Sequence, residues 1–110
     1  MPNYSMNDVV LVQYPFSDLS ASKIRPAIIV STPHTSQDVF IVPLTSQTTN
    51  LLAGEFVLES WQQSGLNVSS AIKRGLYTIH QNLILKKVGQ LTQVDQTQLT
   101  ASLKSWLNIT

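Results

Sequence analysis

Two short apolar segments constrain the fold of this chain more than any other feature. Residues 24–31 read Ile-Arg-Pro-Ala-Ile-Ile-Val-Ser, and residues 39–46 read Val-Phe-Ile-Val-Pro-Leu-Thr-Ser. Apolar, β-branched runs bounded by turn residues predict buried strands. If the two strands form an antiparallel hairpin, Arg25 at the start of one comes close to Thr45 and Ser46 at the end of the other. A guanidinium fixed beside hydroxyl groups suits a phosphate.

The rest of the pattern predicts short strands followed by one terminal helix. Strands are predicted at residues 9–14, 27–31, 39–44, 55–58, 70–73, 76–80 and 86–91. Pro43 inside the third of these implies a sheet edge, a bulge or the end of the strand. Residues 16–23 are Ser-rich and are predicted to form a loop. This order favours a mainly β fold, a small, strongly curved sheet or partly open barrel with a helix packed on it.

Two helical segments are predicted. Residues 59–65 are expected to form one or two helical turns that end at Gly65. In the last segment Thr92 precedes Asp95 by three residues, the spacing of a capping box. The apolar face expected behind it consists of Leu99, Leu103, Trp106 and Leu107, the last two packing in the core.

Length and composition limit what the protein can be. A chain of 110 residues is long enough for one domain with a core, so we expect a single domain over residues 1–110. The net charge is only +1, so a nucleic-acid ligand must be held by local clusters of charge. There is no cysteine, no apolar stretch of membrane-spanning length and no apolar leader at the N-terminus. We expect a cytoplasmic protein with no membrane contact.

The candidate phosphate site is built from four residues. Arg25 could simply be a surface arginine, but Lys23 lies on the same face of an extended chain, and arginine clamps phosphate with paired donors. Thr45 and Ser46 could equally satisfy backbone groups at a strand end. Their expected closeness to Arg25 makes a functional role competitive.

A second basic cluster follows the polar stretch that ends at Ser70. It consists of Lys73 and Arg74, with Tyr77 close behind. An aromatic ring beside basic residues suits unpaired bases, which stack on the ring while phosphates meet the cations. Lys86 and Lys87 are interpreted as a solvated face.

Common enzyme motifs are absent from the sequence. His34 and His80 have no partner at metal-ligand spacing, so no metal site and no cofactor are predicted. We interpret His80 as a turn residue and keep His34 as an outside candidate for a general base. No phosphate-binding glycine loop, nucleophile elbow or paired carboxylates occur.

Several segments, in order, resemble the MazF/PemK-like family, the toxins of type II toxin–antitoxin systems. The core of the resemblance is Arg25-Pro26 before an apolar strand together with Pro43-Leu44-Thr45-Ser46. Supporting segments over nearly the whole chain are residues 8–12, 15–20, 64–66, 70–73, 76–79 and 88–91. Each segment is weak alone, but the ordered set is fairly specific and is more similar to the PemK-like branch.

This resemblance implies a small SH3-like β-barrel, a homodimer and a metal-independent ribonuclease that cleaves single-stranded RNA at a short sequence. The family's catalytic arginine falls on Arg25 and its threonine on Thr45, with Ser46 adjoining. Ser70 and Lys73 fall in the segment that lines the RNA groove in such proteins. A cognate antitoxin is the expected partner, and acid–base work by Arg25 is implied by the resemblance alone.

Two departures and two alternative functions accompany this interpretation. Asn7 stands where such proteins usually have glycine, a change we expect to be tolerated, and His80 replaces a common aspartate after Thr78-Ile79. One alternative is a toxin of the same fold that binds and poisons DNA gyrase without catalysis. The other is an inactive RNA-binding relative.

Overall fold

One antiparallel sheet and one α-helix make up the described part of the chain. The structure is a computed structural model that describes residues 4–14 and 23–110. Its strands are β1 (Asp8–Tyr14), β2 (Lys23–Ile29), β3 (Asp38–Thr45), β4 (Phe56–Val57), β5 (Ala71–Ile72), β6 (Tyr77–His80) and β7 (Ile84–Gln90), and the helix is α1 (Gln93–Leu107). The strand order is β4-β5-β3-β2-β1-β7, with β6 also paired to β3. The sheet does not close, which confirms the predicted mainly β, partly open architecture with a C-terminal helix.

Most apolar residues of β1, β2 and β3 are buried, and they occupy both faces of the sheet, which explains the continuous apolar runs of these strands. Neighbouring residues point into two different clusters: Val9 packs in one and Val10 in the other, and Ile28 and Ile29 divide in the same way. The first cluster is covered by α1 through Leu99. The second is closed by residues of β6, β7 and the short 3₁₀ helix Gln81–Leu83.

Strand β3 changes partners along one of its edges. Residues 41–43 of β3 pair with β2, while β6 and β5 lie end to end along the opposite edge. Pro43 lies at the change from β6 to β5, where its carbonyl oxygen accepts from Lys73 N at 3.0 Å. The proline nitrogen therefore faces a gap between two partners, and its missing N–H breaks no continuous ladder.

The start of β2 differs from the prediction. Strand β2 begins at Lys23, not Ala27, because β1 continues to pair with it: Val12 lies opposite Arg25 and Tyr14 opposite Lys23. Arg25 therefore lies within a strand and does not open it. The rest of the predicted 16–23 loop is outside the described residues.

Residues 59–65 form consecutive turns that do not extend into an α-helix, with one helical hydrogen bond from Ser64 N to Ser60 O at 3.2 Å. Gly65 does end them in the left-handed region at φ 91°, and Leu66 N donates to Trp61 O at 3.1 Å. A side chain on Gly65 would collide with the carbonyl of Val88, so the turn packs directly against β7. Trp61 is half-buried against the first core cluster.

The predicted capping box at the start of α1 is also wrong. Thr92 occupies the N-cap position, but its side chain makes no capping hydrogen bond. Asp95 instead points away from the helix start, and its two carboxylate oxygens accept from Glu59 N at 2.9 Å and Ser60 N at 3.0 Å. The carboxylate thus fastens α1 to the 59–65 turns.

The apolar face of α1 ends one residue earlier than predicted. Leu99 is buried and Leu103 and Trp106 are half-buried, whereas Leu107 is 48% exposed. Trp106 Nε1 donates to Ala53 O at 2.9 Å, and Ser102 Oγ donates to Gly54 O at 2.7 Å. These bonds dock the loop before β4 on the helix.

Within the described residues, no helix combines the length and apolar character needed to cross a bilayer.

A helix-start experiment distinguishes the observed contacts from a capping box. The Thr92 hydroxyl oxygen is buried without a hydrogen-bond partner among the described residues. Thr92→Val should therefore keep or raise the free energy of unfolding, by up to about 1 kcal/mol. Asp95→Asn should lower it by about 1–3 kcal/mol, because one backbone N–H loses its acceptor. Urea unfolding measures the free energy of unfolding of both variants. A decrease of about 1 kcal/mol in Thr92→Val would show that the Thr92 side chain caps the helix after all.

Candidate RNA-binding groove

The open end of the β2–β3 hairpin lines a concave surface of the protein. Ala27 lies opposite Pro43 in the ladder, and extending that register by two residues places Arg25 opposite Thr45. Both side chains line a groove of about 500 Å³. The full lining is Lys23, Arg25, Pro26, Pro43, Leu44, Thr45, Ser46, Val68, Ser70, Lys73 and Tyr77. The strand pairing therefore brings the predicted arginine and hydroxyl residues to one groove.

The groove concentrates positive charge on a nearly neutral protein. Three of the seven lysine and arginine residues of the chain line it: Lys23, Arg25 and Lys73. All three are exposed, and none of the described lining residues is acidic. With a net charge of +1, this local cluster is what an anionic ligand would meet.

The Thr45 side chain is held at the end of β3. Its Oγ1 accepts a hydrogen bond from Gln47 N at 3.1 Å, the backbone role that the sequence had left open. That bond uses a lone pair and leaves the hydroxyl hydrogen to donate. Thr45 can therefore satisfy the strand end and still donate to a ligand oxygen. Ser46, the next residue, is exposed in the same groove.

The far wall comes from β5 and the start of β6. Ser70 is buried, its Oγ donates to Val68 O at 3.0 Å, and it reaches the groove as part of this wall. Tyr77 is 42% exposed. A side chain at Gly75 would lie 2.9 Å from Tyr77 Cε2, so the absent side chain lets the tyrosine ring pack over residue 75.

Arg74 lies apart from the other predicted RNA-binding residues. It does not line the groove; it lines a small apolar notch behind it, formed with Leu76, Leu103, Trp106 and Leu107 among others. Its backbone N donates to Glu55 Oε2 at 2.7 Å. RNA binding by Arg74 stays a prediction.

The histidines and the remaining lysines are also outside the groove. His34 lies at the turn end of the hairpin, where its Nδ1 contacts Ser36 Oγ at 2.8 Å, so the structure does not bring this candidate base to Arg25. Lys87 is part of the exposed face predicted for it and forms an ion pair with buried Asp8, 3.2 Å from Nζ to Oδ1. Across the described ranges 4–14 and 23–110, no three histidine or acidic side chains form a potential metal site.

Sequence reasoning missed two kinds of residue at this site. The groove is also lined by Pro26, Pro43 and Leu44, which belong to the family pattern but were given no role in the site. Glu55 was also missed because its contact with Arg74 spans 19 positions. Only the proline inside a strand gave a local signal, since it marks the place where β3 changes partners.

Comparison with known proteins identifies the family. The model of the PemK-like, MazF-like toxins of type II toxin–antitoxin systems matches residues 6–107. The chain belongs to this family. A search of curated proteins gives no match.

Solved structures support the fold of this PemK/MazF-like toxin. The Mycobacterium tuberculosis toxin MazF-mt6 matches with a TM-score of 0.74 at 20% identity, covering 94% of this chain and 98% of that one. An endoribonuclease from a mycobacterial species, in complex with its cognate antitoxin, matches at 0.75 and 16% identity over 100% and 98% of the two chains. MazF in a MazE–MazF complex from Deinococcus radiodurans matches at 0.80 and 13% identity over the whole of both chains. At these identities the likeness shows the fold.

Glu55 beside the groove generates a pH prediction for stability. The backbone N–H of Arg74, then that of Leu52, lowers the pKa of the Glu55 carboxyl below its ordinary value of 4.5 by bonding its charged form. The stabilisation is thus fully present above pH 4.5 and is lost as the pH falls through the lowered pKa. Glu55→Gln should lower the urea midpoint near neutral pH, and the gap from the parent should shrink on acidification.

The matched control for this prediction is Arg74→Ala. The donor to Glu55 is the backbone N–H, so this variant keeps the bond and should keep most of the pH dependence of the parent. A gap between parent and Glu55→Gln that stays constant on acidification would contradict the assigned cause.

Proposed function

We propose that this toxin is a metal-independent endoribonuclease that cleaves single-stranded mRNA at a short sequence. The observation that carries the proposal is the groove in which Arg25, Thr45 and Ser46 meet two lysines, in a chain that belongs to the PemK/MazF-like toxins. Mycobacterial members of the same fold are endoribonucleases, one of them in complex with its antitoxin.

The reaction uses the 2′-hydroxyl of the RNA as nucleophile. The 2′-oxygen forms a bond to phosphorus while the bond from phosphorus to the 5′-oxygen breaks. The 2′-proton is lost and the leaving 5′-oxygen gains a proton, so the products are a cyclic phosphate and a free 5′-hydroxyl. The enzyme must stabilise the crowded anionic transition state between these steps.

Arg25 supplies paired donors and positive charge to the phosphate in this mechanism, and Thr45 donates its hydroxyl hydrogen to a phosphate oxygen. Ser46 is the second hydroxyl donor. Arginine has a pKa above about 12 and accepts a proton poorly, so we assign Arg25 to electrostatic stabilisation. Loss of one preorganised donor costs about 3 kcal/mol of barrier.

The other groove residues bind the strand on either side of the scissile phosphate. Lys23 and Lys73 meet neighbouring phosphates, and Ser70 supports the wall from which Lys73 projects. Tyr77 offers a ring on which an unpaired base stacks. Because a base must be unpaired to stack on that ring, the proposed substrate is single-stranded RNA.

We further propose that the protein acts in the cytoplasm as a homodimer and is neutralised by a cognate antitoxin. The support is the family itself and the antitoxin complexes formed by two proteins of this fold. Sedimentation of the purified toxin, alone and with the product of a neighbouring gene, tests both parts.

Cleavage of a long single-stranded RNA in EDTA tests the nuclease. The parent should make discrete cuts with cyclic-phosphate and 5′-hydroxyl ends, and Arg25→Ala and Thr45→Ala should each lower kcat/KM by about 10²–10³. Arg25→Lys keeps the positive charge but loses the paired N–H donors of the guanidinium, so this variant should also cleave RNA more slowly than the parent. Thr45→Ser keeps the hydroxyl and is the matched control for Thr45→Ala.

The outcomes separate this proposal from its competitors. Equal cleavage by Arg25→Lys and the parent would reject bidentate clamping of the phosphate. Cleavage that requires an added divalent metal would reject metal independence. A folded parent that cuts no RNA would reject the nuclease and favour a gyrase-binding toxin or an inactive RNA-binding relative.

A further inference from the structure

The segment of residues 73–77 has two sides with different surroundings. Lys73 and Tyr77, at its ends, line the RNA groove. Arg74, Gly75 and Leu76, between them, line the notch against α1. The segment is therefore the wall between the groove and the helix, and its backbone position sets where the lysine and the tyrosine ring point.

Three contacts fix this wall. Lys73 N donates to Pro43 O at 3.0 Å, which ties the wall to β3. Arg74 N donates to Glu55 Oε2 at 2.7 Å. Gly75 packs under the Tyr77 ring and against Pro43 with no room for a side chain. Of the two hydrogen bonds, only the one to Glu55 is made by a side chain, so substitution can remove it without moving the main chain of a strand.

Glu55 is itself held from the opposite side. Its Oε1 accepts from Leu52 N at 2.7 Å, so each carboxylate oxygen bonds one backbone N–H. The loop that carries it is docked on α1 by the bonds from Trp106 and Ser102 described above. The carboxylate thus links the groove wall to the helix through fixed contacts.

We propose that Glu55 is a positioning residue for the RNA groove. Its carboxylate holds the backbone of residues 73–77 so that the Lys73 ammonium and the Tyr77 ring face the bound strand. Glu55 does not line the groove and acts through Arg74 N alone. This inference rests on the proposed function, because the wall is relevant only if RNA occupies the groove.

Charge alone predicts the opposite effect on binding. The charged groups that act on Glu55 are Lys73 and Arg74, both cations, and the α1 residues bonded to its loop do not titrate. An acid that merely offset these cations would weaken RNA binding, so its removal would tighten binding. Removal of a positioning residue instead weakens RNA binding and removes one phosphate contact.

The test is the salt dependence of binding to a single-stranded DNA oligonucleotide of mixed sequence. This probe has no 2′-hydroxyl groups, so the proposed reaction cannot cut it. For single strands each phosphate contact contributes about 0.7 to the slope of log K against log salt. Glu55→Gln should lower that slope by about 0.7, as should Lys73→Ala. The double variant should show no further decrease, because both changes remove the same contact.

Cleavage provides the second measurement. Glu55→Gln should lower kcat/KM on RNA by about tenfold, mainly through KM, since the wall of residues 73–77 loses one charge-assisted hydrogen bond. Glu59→Gln removes the same charge from an exposed side chain outside the groove and should keep the slope and kcat/KM of the parent. If Glu55→Gln does not fold, Glu55→Asp keeps the charge, draws the carboxylate back from Arg74 N and should show the same loss of slope.

Each outcome has a defined meaning. A folded Glu55 variant with the slope and kcat/KM of the parent, or with tighter binding, overturns the positioning role and leaves the nuclease standing. Additive slope losses in the double variant overturn the link to Lys73. A parent that neither binds the oligonucleotide nor cuts RNA overturns the proposed function, and this inference with it.

Discussion

The antiparallel pairing of β2 with β3 is the constraint on which the rest of the structure depends. Ala27, Ile28 and Ile29 lie opposite Pro43, Val42 and Ile41, and alternate members of both strands enter the two core clusters. A slip of one residue would exchange these clusters and turn every side chain to the wrong face, so burial on both sides fixes the register. Extending this register by two residues beyond the paired segment places Arg25 opposite Thr45. Core packing, which carries no chemistry, thereby determines which polar groups face each other across the groove.

The groove follows from the way the other edge of β3 is occupied. Two short strands, β6 and β5, share that edge, and the wall of residues 73–77 crosses from one to the other next to Pro43. A single long partner strand would have filled the edge and left no break. Proline suits the junction because no N–H is required there, and its ring is part of the apolar lining of the groove. A protein with a net charge of +1 thus presents three cations beside the hydroxyl groups of Thr45 and Ser46 in one groove, which is the local positive charge that an anionic ligand would meet.

Features that depend on local sequence patterns were predicted, and features that depend on contacts between residues far apart in the sequence were not. Strands β1 and β3 and helix α1 were predicted nearly to their ends, because buried elements have a recognisable local pattern of apolar residues. The closeness of Arg25 and Thr45 was predicted because a hairpin turns sequence order into spatial order. Asp95 was misread as half of a capping box, since its true donors, Glu59 N and Ser60 N, are 36 and 35 positions away. Glu55 gave no signal for the same reason, and the start of β2 was missed because exposed Lys23 and Arg25 lack the apolar pattern of a buried strand.

The two departures from the family pattern show which property of a residue the fold requires. Asn7 has φ 75°, in the left-handed region that glycine enters freely and asparagine tolerates better than most residues, and its N–H still donates to Ile29 O at 2.7 Å. His80 precedes the 3₁₀ helix and its Nδ1 accepts from Asn82 N at 3.1 Å, the acceptor role that an aspartate oxygen would fill. Asn7 thus supplies the backbone conformation at the first position, and His80 supplies a hydrogen-bond acceptor at the second. His80 lies opposite Asp38, at the end of β3 remote from Thr45, so its change of residue alters a turn and leaves the composition of the groove as it is.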